Sequence, residues 1–226
     1  MTDIKEQVGR AAAQYVEDGM VVGLGTGSTA FWFVDEIGRR VQSGELSHIV
    51  GIPTSKRTEE QARMLKIPLK TLDEVAQIDV LVDGADECTP AFNGIKGGGG
   101  ALLHEKIVAQ SSNKRIWIVG EDKVVDTLGA FPLPVEVIPF GSWKLFRTLG
   151  QAGFNPTFRK KNQDSLFVTD SGNYIIDLHL KEIINPAQLA HELNNTVGVV
   201  EHGLFLNHPH IILVGQADGT IKRYER

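Results

Sequence analysis

Residues 78–105 read IDVLVDGADECTPAFNGIKGGGGALLHE, and this stretch decides the fold that the sequence predicts. It opens with an apolar run over 78–82, which is typical of a strand buried on both faces of a parallel sheet. Asp83, Asp86 and Glu87 follow the predicted strand at its carboxyl end, where open α/β sheets bind their ligands. The stretch therefore predicts a parallel α/β sheet with an acidic loop at its ligand-binding edge.

A lysine, Lys96, and four glycines close this loop, and a helical pattern follows them. Glycines add nothing to a core, but their successive backbone N–H groups can turn inward on an anion or an oxyanion. Glu105 flanks the apolar stripe of the following helix, where desolvation would raise its pKa and suit it to act as a base. A calcium loop is the alternative, but the alternating ligands and closing glutamate of an EF-hand are absent. The combination favours a functional site over simple packing.

A second glycine-containing turn, GTGST at 25–29, joins a strand predicted over 20–23 to a helix predicted over 30–41. The N–H groups and dipole at a helix N-terminus favour a phosphate, and the hydroxyls of Ser28 and Thr29 add donors. The alternative is a dinucleotide fingerprint, whose third glycine would fall on Ser28 or Ala30. No acidic residue ends the next strand cleanly either, so the turn predicts phosphate binding rather than NAD binding.

Composition narrows the class of protein. The chain has 226 residues, of which 42% are hydrophobic, enough for one large or two small domains with a real core. A net charge of −5 argues against non-specific nucleic-acid binding. Cys88 is the single cysteine, so no intrachain disulfide can form, a reducing cytoplasm is expected, and a small buried filler is its simplest role. No apolar run is long enough to cross a membrane.

Strand and helix patterns alternate along the first half of the chain, which indicates a parallel sheet with right-handed crossovers. A proline-marked boundary follows at 131–134, and a β-α-β-β-α-β order after it indicates a split βαβ sandwich. The last two strands are expected to return to the first sheet. Predicted strands cover 20–23, 48–52, 68–70, 78–82, 115–120, 135–138, 155–159, 166–169, 174–177, 199–202, 211–215 and 220–224.

With these residues in hand, the chain closely resembles the A-type family of ribose 5-phosphate isomerases. The matching motifs are GTGST at 25–29, DGADE at 83–87, KGGG at 96–99, the helix glutamate Glu105, and FPLPVEVIP at 131–139. The likeness runs from the first helix to about Thr220, which is nearly the whole chain. Each motif alone is unspecific, but the set is highly specific.

The resemblance implies a Rossmann-like parallel-sheet domain, residues 1–130 plus 204–226, and a smaller inserted α+β domain of the ferredoxin-like type, residues 131–203. It implies an oligomerisation role for the smaller domain, in a homodimer or homotetramer. It also implies a cytoplasmic enzyme of the pentose phosphate pathway that interconverts ribose 5-phosphate and ribulose 5-phosphate. The expected partner is a small sugar phosphate, with no cofactor, metal, nucleic acid or membrane.

The chemistry of that reaction gives each motif a role. Glu105 suits the base that carries a proton between C1 and C2, and Lys96 with the glycine N–H groups suits the enediolate oxygens. Asp83 and Asp86 can open the furanose ring by acid–base action. The turn at 25–29 would hold the phosphate with Lys5 or Lys123. The expected substrate-binding residues are Lys5, Thr26, Gly27, Ser28, Thr29, Asp83, Gly84, Ala85, Asp86, Lys96, Gly97, Gly98, Gly99 and Lys123.

A non-catalytic sugar-phosphate sensor is the competing class, because fold does not fix function. Such a sensor needs the phosphate turn but not Glu105, and it would usually carry a DNA-binding segment, for which this chain has no spare length. An amino-sugar-phosphate deaminase or an acyl-CoA transferase is the more distant alternative.

Overall fold

The computed structural model describes residues 3–226, which form six α-helices and thirteen β-strands. The helices are α1 (Ile4–Ala12), α2 (Ala30–Gln42), α3 (Lys56–Met64), α4 (Leu102–Gln110), α5 (Ser142–Gln151) and α6 (Pro186–Asn194). The strands are β1 (Val21–Leu24), β2 (Val50–Pro53), β3 (Ile78–Asp83), β4 (Glu87–Cys88), β5 (Gly94–Ile95), β6 (Ser112–Gly120), β7 (Leu133–Val137), β8 (Pro156–Phe158), β9 (Tyr174–Leu178), β10 (Val199–His202), β11 (Leu204–Phe205), β12 (Ile211–Gly215) and β13 (Ile221–Glu225).

The chain divides into two compact units, and the first comprises residues up to 85 together with 104–124 and 208–226. Its six-stranded sheet has the order β2-β1-β3-β6-β12-β13. The first five of these strands run parallel, and β13 pairs antiparallel with β12 at the edge. The predicted parallel sheet is confirmed, and so is the return of the last two strands to it.

Strand β3 lies in the middle of this sheet and is buried on both faces, as its apolar run predicts. Val80 and Val82 belong to one core cluster with residues of α1 and α2. Ile78 and Leu81 belong to a second core cluster, with residues of β2 and α4. Full burial of an apolar side chain of this size stabilises a fold by about 1.5–3 kcal/mol. The carboxyl end of β3 is therefore a rigid platform for Asp83.

The second unit comprises residues 86–103 and 125–207. Its main sheet has the order β10-β7-β9-β8, with every neighbouring pair antiparallel, and α5 and α6 connect its strands. The predicted β-α-β-β-α-β order is thus confirmed. A second, three-stranded sheet in this unit has the order β11-β5-β4, and its two-residue strands are too short to show a sequence period.

Two predicted strands are wrong. The segment 68–70 makes only an isolated bridge between Leu69 and Gly51. The segment 166–169 also makes isolated bridges only, because its backbone bonds alternate between two neighbours. The Phe167 N–H donates to Arg159 O, whereas the Thr169 N–H donates to Asn173 O, so no continuous ladder forms.

The predicted division into 1–130 plus 204–226 and 131–203 stays a prediction about domains. Packing assigns three segments that it gave to the larger domain, 86–103, 125–130 and 204–207, to the second unit. The chain passes between the units after Ala85, Leu103, Val124 and Asn207. Among the described residues, no helix is both long and apolar enough to span a membrane.

Candidate active site

Asp83 ends β3 and is fixed by backbone N–H groups of the first unit. Its Oδ1 accepts from the Thr26 N–H at 2.9 Å and from the Gly84 N–H at 2.8 Å, and its exposure is 1%. Gly25 lets the β1–α2 turn come this close, because a Cβ there would lie 2.5 Å from the Asp83 Cα and from the Val82 O. Two motifs that are far apart in the sequence, GTGST and DGADE, are thus joined directly.

The Thr26 hydroxyl lies in a cluster of hydroxyl groups from the β2–α3 turn. Its Oγ1 is 2.7 Å from Thr54 Oγ1, 2.8 Å from Ser55 Oγ and 3.1 Å from Thr58 Oγ1. Thr58 Oγ1 also donates to Gly25 O at 3.0 Å. Thr54 and Thr58 were not predicted as site residues, although a run of hydroxyl residues directly after a predicted strand was a signal for them.

This hydroxyl cluster changes the expected role of Thr26. Both its side chain and its N–H are engaged with other protein groups, so its contribution is to hold the turn and Asp83. Thr29 is the N-cap of α2, and within the described structure it makes no side-chain cap bond; Ser28 beside it is exposed. Gly27 adopts a positive φ of 119° just before them. Gly27, Ser28 and Thr29 thus form the part of the turn that suits an anion.

Glu105 lies in the first turn of α4 and is 4% exposed, so the expected desolvation of this carboxylate is present.

The two candidate phosphate-binding lysines belong to the first unit. Lys123 ends the short 3-10 helix after β6, and its Nζ is 3.5 Å from Asp122 Oδ2. Lys5 is exposed in α1, next to Ile4. Ile4 packs on the last residue of β12, because a Cβ on Gly215 would lie 2.7 Å from its Cγ2. Both lysines therefore lie towards the carboxyl ends of β6 and β12 in the first unit.

In the second unit, Asp86 is bound to the glycine run. Its Oδ2 accepts from the Gly98 N–H at 2.7 Å, and its own N–H donates to Ile95 O at 2.8 Å. A Cβ on Gly98 would lie 2.5 Å from Asp86 Oδ1, so any other residue there would displace this carboxylate. The Gly100 N–H donates to Gly97 O at 2.9 Å. The run is therefore a defined turn that fixes a carboxylate, and the Gly98 N–H is one of its tethers.

Lys96 precedes this turn and is 3% exposed. Its N–H donates to Gly203 O at 2.9 Å, next to the pairing of β5 with β11. Its Nζ lies 5.5 Å from the centroid of the Phe205 ring, within range of a cation–π attraction. A buried ammonium group on a short, well-packed sheet has little freedom to move, which suits a role in charge stabilisation.

The third acid of the loop has a structural role. Glu87 is 4% exposed, and its carboxylate accepts from the Gly129 N–H at 2.7 Å and from the Phe131 N–H at 2.5 Å. Cys88 beside it is fully buried. Burial raises the pKa of the Cys88 thiol to about 12, and the charge of Glu87 adds to the effect. This thiol is a packed filler, as the sequence suggested.

A cavity of about 620 Å³ opens in the first unit beside α3, the 69–74 segment and α4. Its lining mixes cations with acids, among them Lys56, Arg63, Glu59 and Asp73. None of the predicted site residues that the structure describes belongs to this lining. The lining does include Ser55, which accepts from the Thr26 hydroxyl, and His104, which precedes Glu105.

Comparisons with known proteins identify the family. A family model described as ribose 5-phosphate isomerase A (phosphoriboisomerase A) matches residues 50–219. The chain is 58% identical over 219 residues to the ribose-5-phosphate isomerase A of Streptococcus agalactiae, with 97% of each chain covered.

Solved structures agree with this assignment. A D-ribose-5-phosphate isomerase in complex with phospho-erythronic acid matches with a TM-score of 0.94 and 40% identity, over 99% of this chain and 98% of that one. Ribose 5-phosphate isomerase A of Methanocaldococcus jannaschii matches with a TM-score of 0.92 and 41% identity, over 99% of each chain. The fold class expected from the sequence is therefore confirmed. By sequence and by fold, the chain belongs to the ribose 5-phosphate isomerase A family.

Proposed function

We propose that the chain interconverts D-ribose 5-phosphate and D-ribulose 5-phosphate through an enediolate. Family membership supports this reaction. The observation that carries it is a pair of carboxylates fixed by backbone donors, Asp83 by the Thr26 and Gly84 N–H groups and Asp86 by the Gly98 N–H. Carboxylates fixed in this way suit acid–base work on sugar hydroxyls, because their lone pairs keep a set direction.

Glu105 acts as the base in this proposal. The C2 proton of the open-chain aldose is acidic because it lies beside the C1 carbonyl, and a carboxylate can move it from C2 to C1. The burial of Glu105 excludes water, which would otherwise compete for the proton. General-base catalysis of this kind is typically worth about 10²–10⁴-fold in rate.

The negative charge of the enediolate requires donors. Lys96 and the N–H groups of Gly97 and Gly99 fill this role in the proposal, whereas the expected donor Gly98 is bonded to Asp86 instead. Such donors act most strongly where they are fixed before the charge develops. The burial of Lys96 and the ordered turn after it support the assignment.

Asp83 and Asp86 open the furanose ring before isomerisation. Opening requires a proton to reach the ring oxygen while the anomeric hydroxyl loses one, so two carboxyl groups in opposite protonation states suffice. Gly84 and Ala85 join the two aspartates along the chain and are part of the same substrate-binding loop in this proposal.

The phosphate binds at the N-terminus of α2 in this proposal. Gly27, Ser28 and Thr29 supply the N–H and hydroxyl donors, and the dipole of a 13-residue helix favours the negative charge. Lys5 or Lys123 adds a counter-charge. Thr26 does not bind the phosphate directly in this proposal, but its hydrogen bonds hold the turn in place.

Self-association as a homodimer or homotetramer is part of the proposal. In the second unit, Phe140 is 91% exposed, Val197 95% and Trp143 59%. Pairing with a second copy of the chain would remove these apolar side chains from water. A cytoplasmic location and a place in the pentose phosphate pathway complete the proposal, and the buried single thiol fits a reducing compartment.

An assay of the purified protein with ribose 5-phosphate tests the proposal, with ribulose 5-phosphate formation as the readout. We expect turnover, and we expect competitive inhibition by phospho-erythronic acid, the ligand of the solved relative. Tight binding of ribose 5-phosphate without turnover by the folded protein would instead favour the sensor class.

A further inference from the structure

Arg159 contacts the glycine turn through its guanidinium group. It follows β8 in the second unit, and its Nη1 donates to Gly97 O at 2.6 Å and to Gly98 O at 3.1 Å. Its Nε and Nη2 donate to the two carboxylate oxygens of Asp177 at 3.0 and 2.5 Å. The exposure of the two side chains is only 15% and 14%. One planar group thus joins a carboxylate on β9 to two consecutive peptide carbonyls.

Because peptide bonds are planar, the contact of Arg159 with the Gly97 and Gly98 carbonyls also sets the direction of the N–H groups of the residues that follow them. In a trans peptide, the C=O of one residue and the N–H of the next point in opposite directions. The Gly97 carbonyl faces Arg159, and the Gly98 N–H accordingly points away from it, to Asp86 Oδ2. The Gly98 carbonyl also faces Arg159, so the Gly99 N–H points away as well, and Gly99 is exposed.

We propose that Arg159, held by Asp177, is a positioning residue that aims the Gly98 N–H at Asp86 and the Gly99 N–H at the enediolate. The inference rests on the proposed function, because it takes the roles of Asp86 and the glycine turn from there. Arg159 itself does not contact the substrate in this proposal. It fixes two peptide planes whose glycines would otherwise rotate freely.

Arginine suits this task better than lysine. The planar guanidinium group can donate to Asp177 through Nε and Nη2 while its Nη1 donates to the two glycine carbonyls. A lysine ammonium group has only one nitrogen and cannot make both sets of contacts in this geometry. A cation at the carbonyl end of a peptide also polarises that peptide, which strengthens the N–H at its other end as a donor. Both effects act more strongly on the charged enediolate oxygens than on the uncharged carbonyl of the substrate.

The test compares Arg159→Met, which keeps the apolar stem, with Arg159→Lys and the wild type. We expect kcat to fall about 10- to 100-fold in Arg159→Met, the range for catalytic groups displaced by about 1 Å, while KM changes little. Affinity for phospho-erythronic acid, with a carboxylate at the reacting end, should fall with kcat. Arg159→Lys should recover only part of the loss.

A stability control separates positioning from general weakening. Leu189→Ala removes a core side chain of the same unit, on α6. It should lower the melting temperature yet keep kcat well below that temperature. For Arg159→Ala, methylguanidinium in the assay should restore turnover better than methylammonium does. A normal kcat in folded Arg159→Met, or a loss confined to KM, would overturn the inference.

Nuclear magnetic resonance gives a readout that does not depend on turnover. The Gly98 amide proton, bonded to a carboxylate, should resonate downfield in the wild type and move upfield in Arg159→Met. An unchanged Gly98 resonance in that variant would refute the positioning role. A wild-type protein that showed this shift but no isomerase activity would refute the proposed function instead.

Discussion

The Thr26 N–H donates to Asp83 Oδ1 at 2.9 Å across 57 residues of sequence, so the β1–α2 turn is joined directly to the end of β3. Thr26 is in turn held by the hydroxyl groups of Thr54, Ser55 and Thr58. The position of Asp83 therefore depends on a third segment, the β2–α3 turn.

Thr58→Val tests this dependence, because valine keeps the shape and removes the hydroxyl. Buried partners left without their bond cost about 1–3 kcal/mol, so the free energy of unfolding should fall by that amount. The kcat should fall several-fold as the turn loses its anchor, and Thr58→Ser should recover most of both losses. Denaturant unfolding and steady-state kinetics measure the two effects. Unchanged stability in Thr58→Val would show that the cluster does not hold the turn.

Glu105→Gln should fold normally and lose about 10²–10⁴-fold in kcat, because an amide cannot accept the C2 proton. Circular dichroism and the coupled assay measure folding and turnover. Glu59→Gln, on the exposed face of α3, is the matched control and should keep full activity. Near-normal turnover by folded Glu105→Gln would exclude Glu105 as the base.

Thr29→Val should raise KM more than it lowers kcat, since the phosphate is bound alike in the ground and transition states. The helix should tolerate the change, because the Thr29 side chain makes no cap bond to the described residues. Thr148→Val, on exposed α5, serves as the control for the substitution itself. A loss confined to kcat would place Thr29 at the reacting end of the substrate instead.

Excess EDTA should leave activity intact. A metal-assisted hydride shift needs several carboxylates to hold a divalent ion. Glu87 is bonded to the Gly129 and Phe131 N–H groups, and Asp83 and Asp86 each accept from backbone N–H groups. Reaction in D₂O should place solvent deuterium in the product, provided that the base exchanges its proton before returning it. Activity lost on chelation and restored by a divalent ion would overturn proton transfer.

His210 should make stability depend on pH in the acid range. Burial lowers its pKa, helped by the charges of Arg115, Arg226 and Lys114, and its Nδ1 accepts from the Arg115 N–H. The unfolded chain takes up this proton near pH 6.5, whereas the folded chain does so only at lower pH. The contribution of His210 is therefore present above about pH 6.5 and falls as the pH drops towards the lowered pKa.

Unfolding of His210→Gln, measured between pH 7.5 and 5.5, tests this sign. The variant should lose less stability over that range than the wild type does. His191→Gln, on the exposed end of α6, should behave as the wild type. If His210→Gln and the wild type lose the same free energy of unfolding over this pH range, His210 does not cause the pH dependence.

Sequence patterns predicted most of the architecture because they are local. The apolar run of β3, the alternation of strands and helices, and the turn after β1 can be recognised within 10 to 30 residues. Asp83 and Glu105 were recognisable for the same reason. The resemblance to a known family joined these local signals into one site.

Partners that are distant in sequence were not predictable. Arg159 lies 62 residues from Gly97, and a lone arginine after a short strand carries no periodic signal. The hydroxyl residues that hold Thr26 have the ordinary pattern of a helix N-terminus, and Ser55 is indeed the N-cap of α3. Glu87 looked like a member of the acidic cluster until its bonds to residues 129 and 131 were visible. In each case, the role of the residue depends on a tertiary contact, and the sequence around that residue gives no sign of the contact.

The strand order of the first unit also bears on the synthesis of the chain. Strand β6 is covered on one side by β3, which is made before it, and on the other by β12, which is made only after residues 121–210. Until then the nascent chain presents an apolar edge, Ile116 to Val119, that can pair with strands of other chains. The inserted second unit can complete its own sheets during this interval. Ribosome-bound chains that stop before β12 should therefore require a chaperone, whereas full-length chains close the edge themselves.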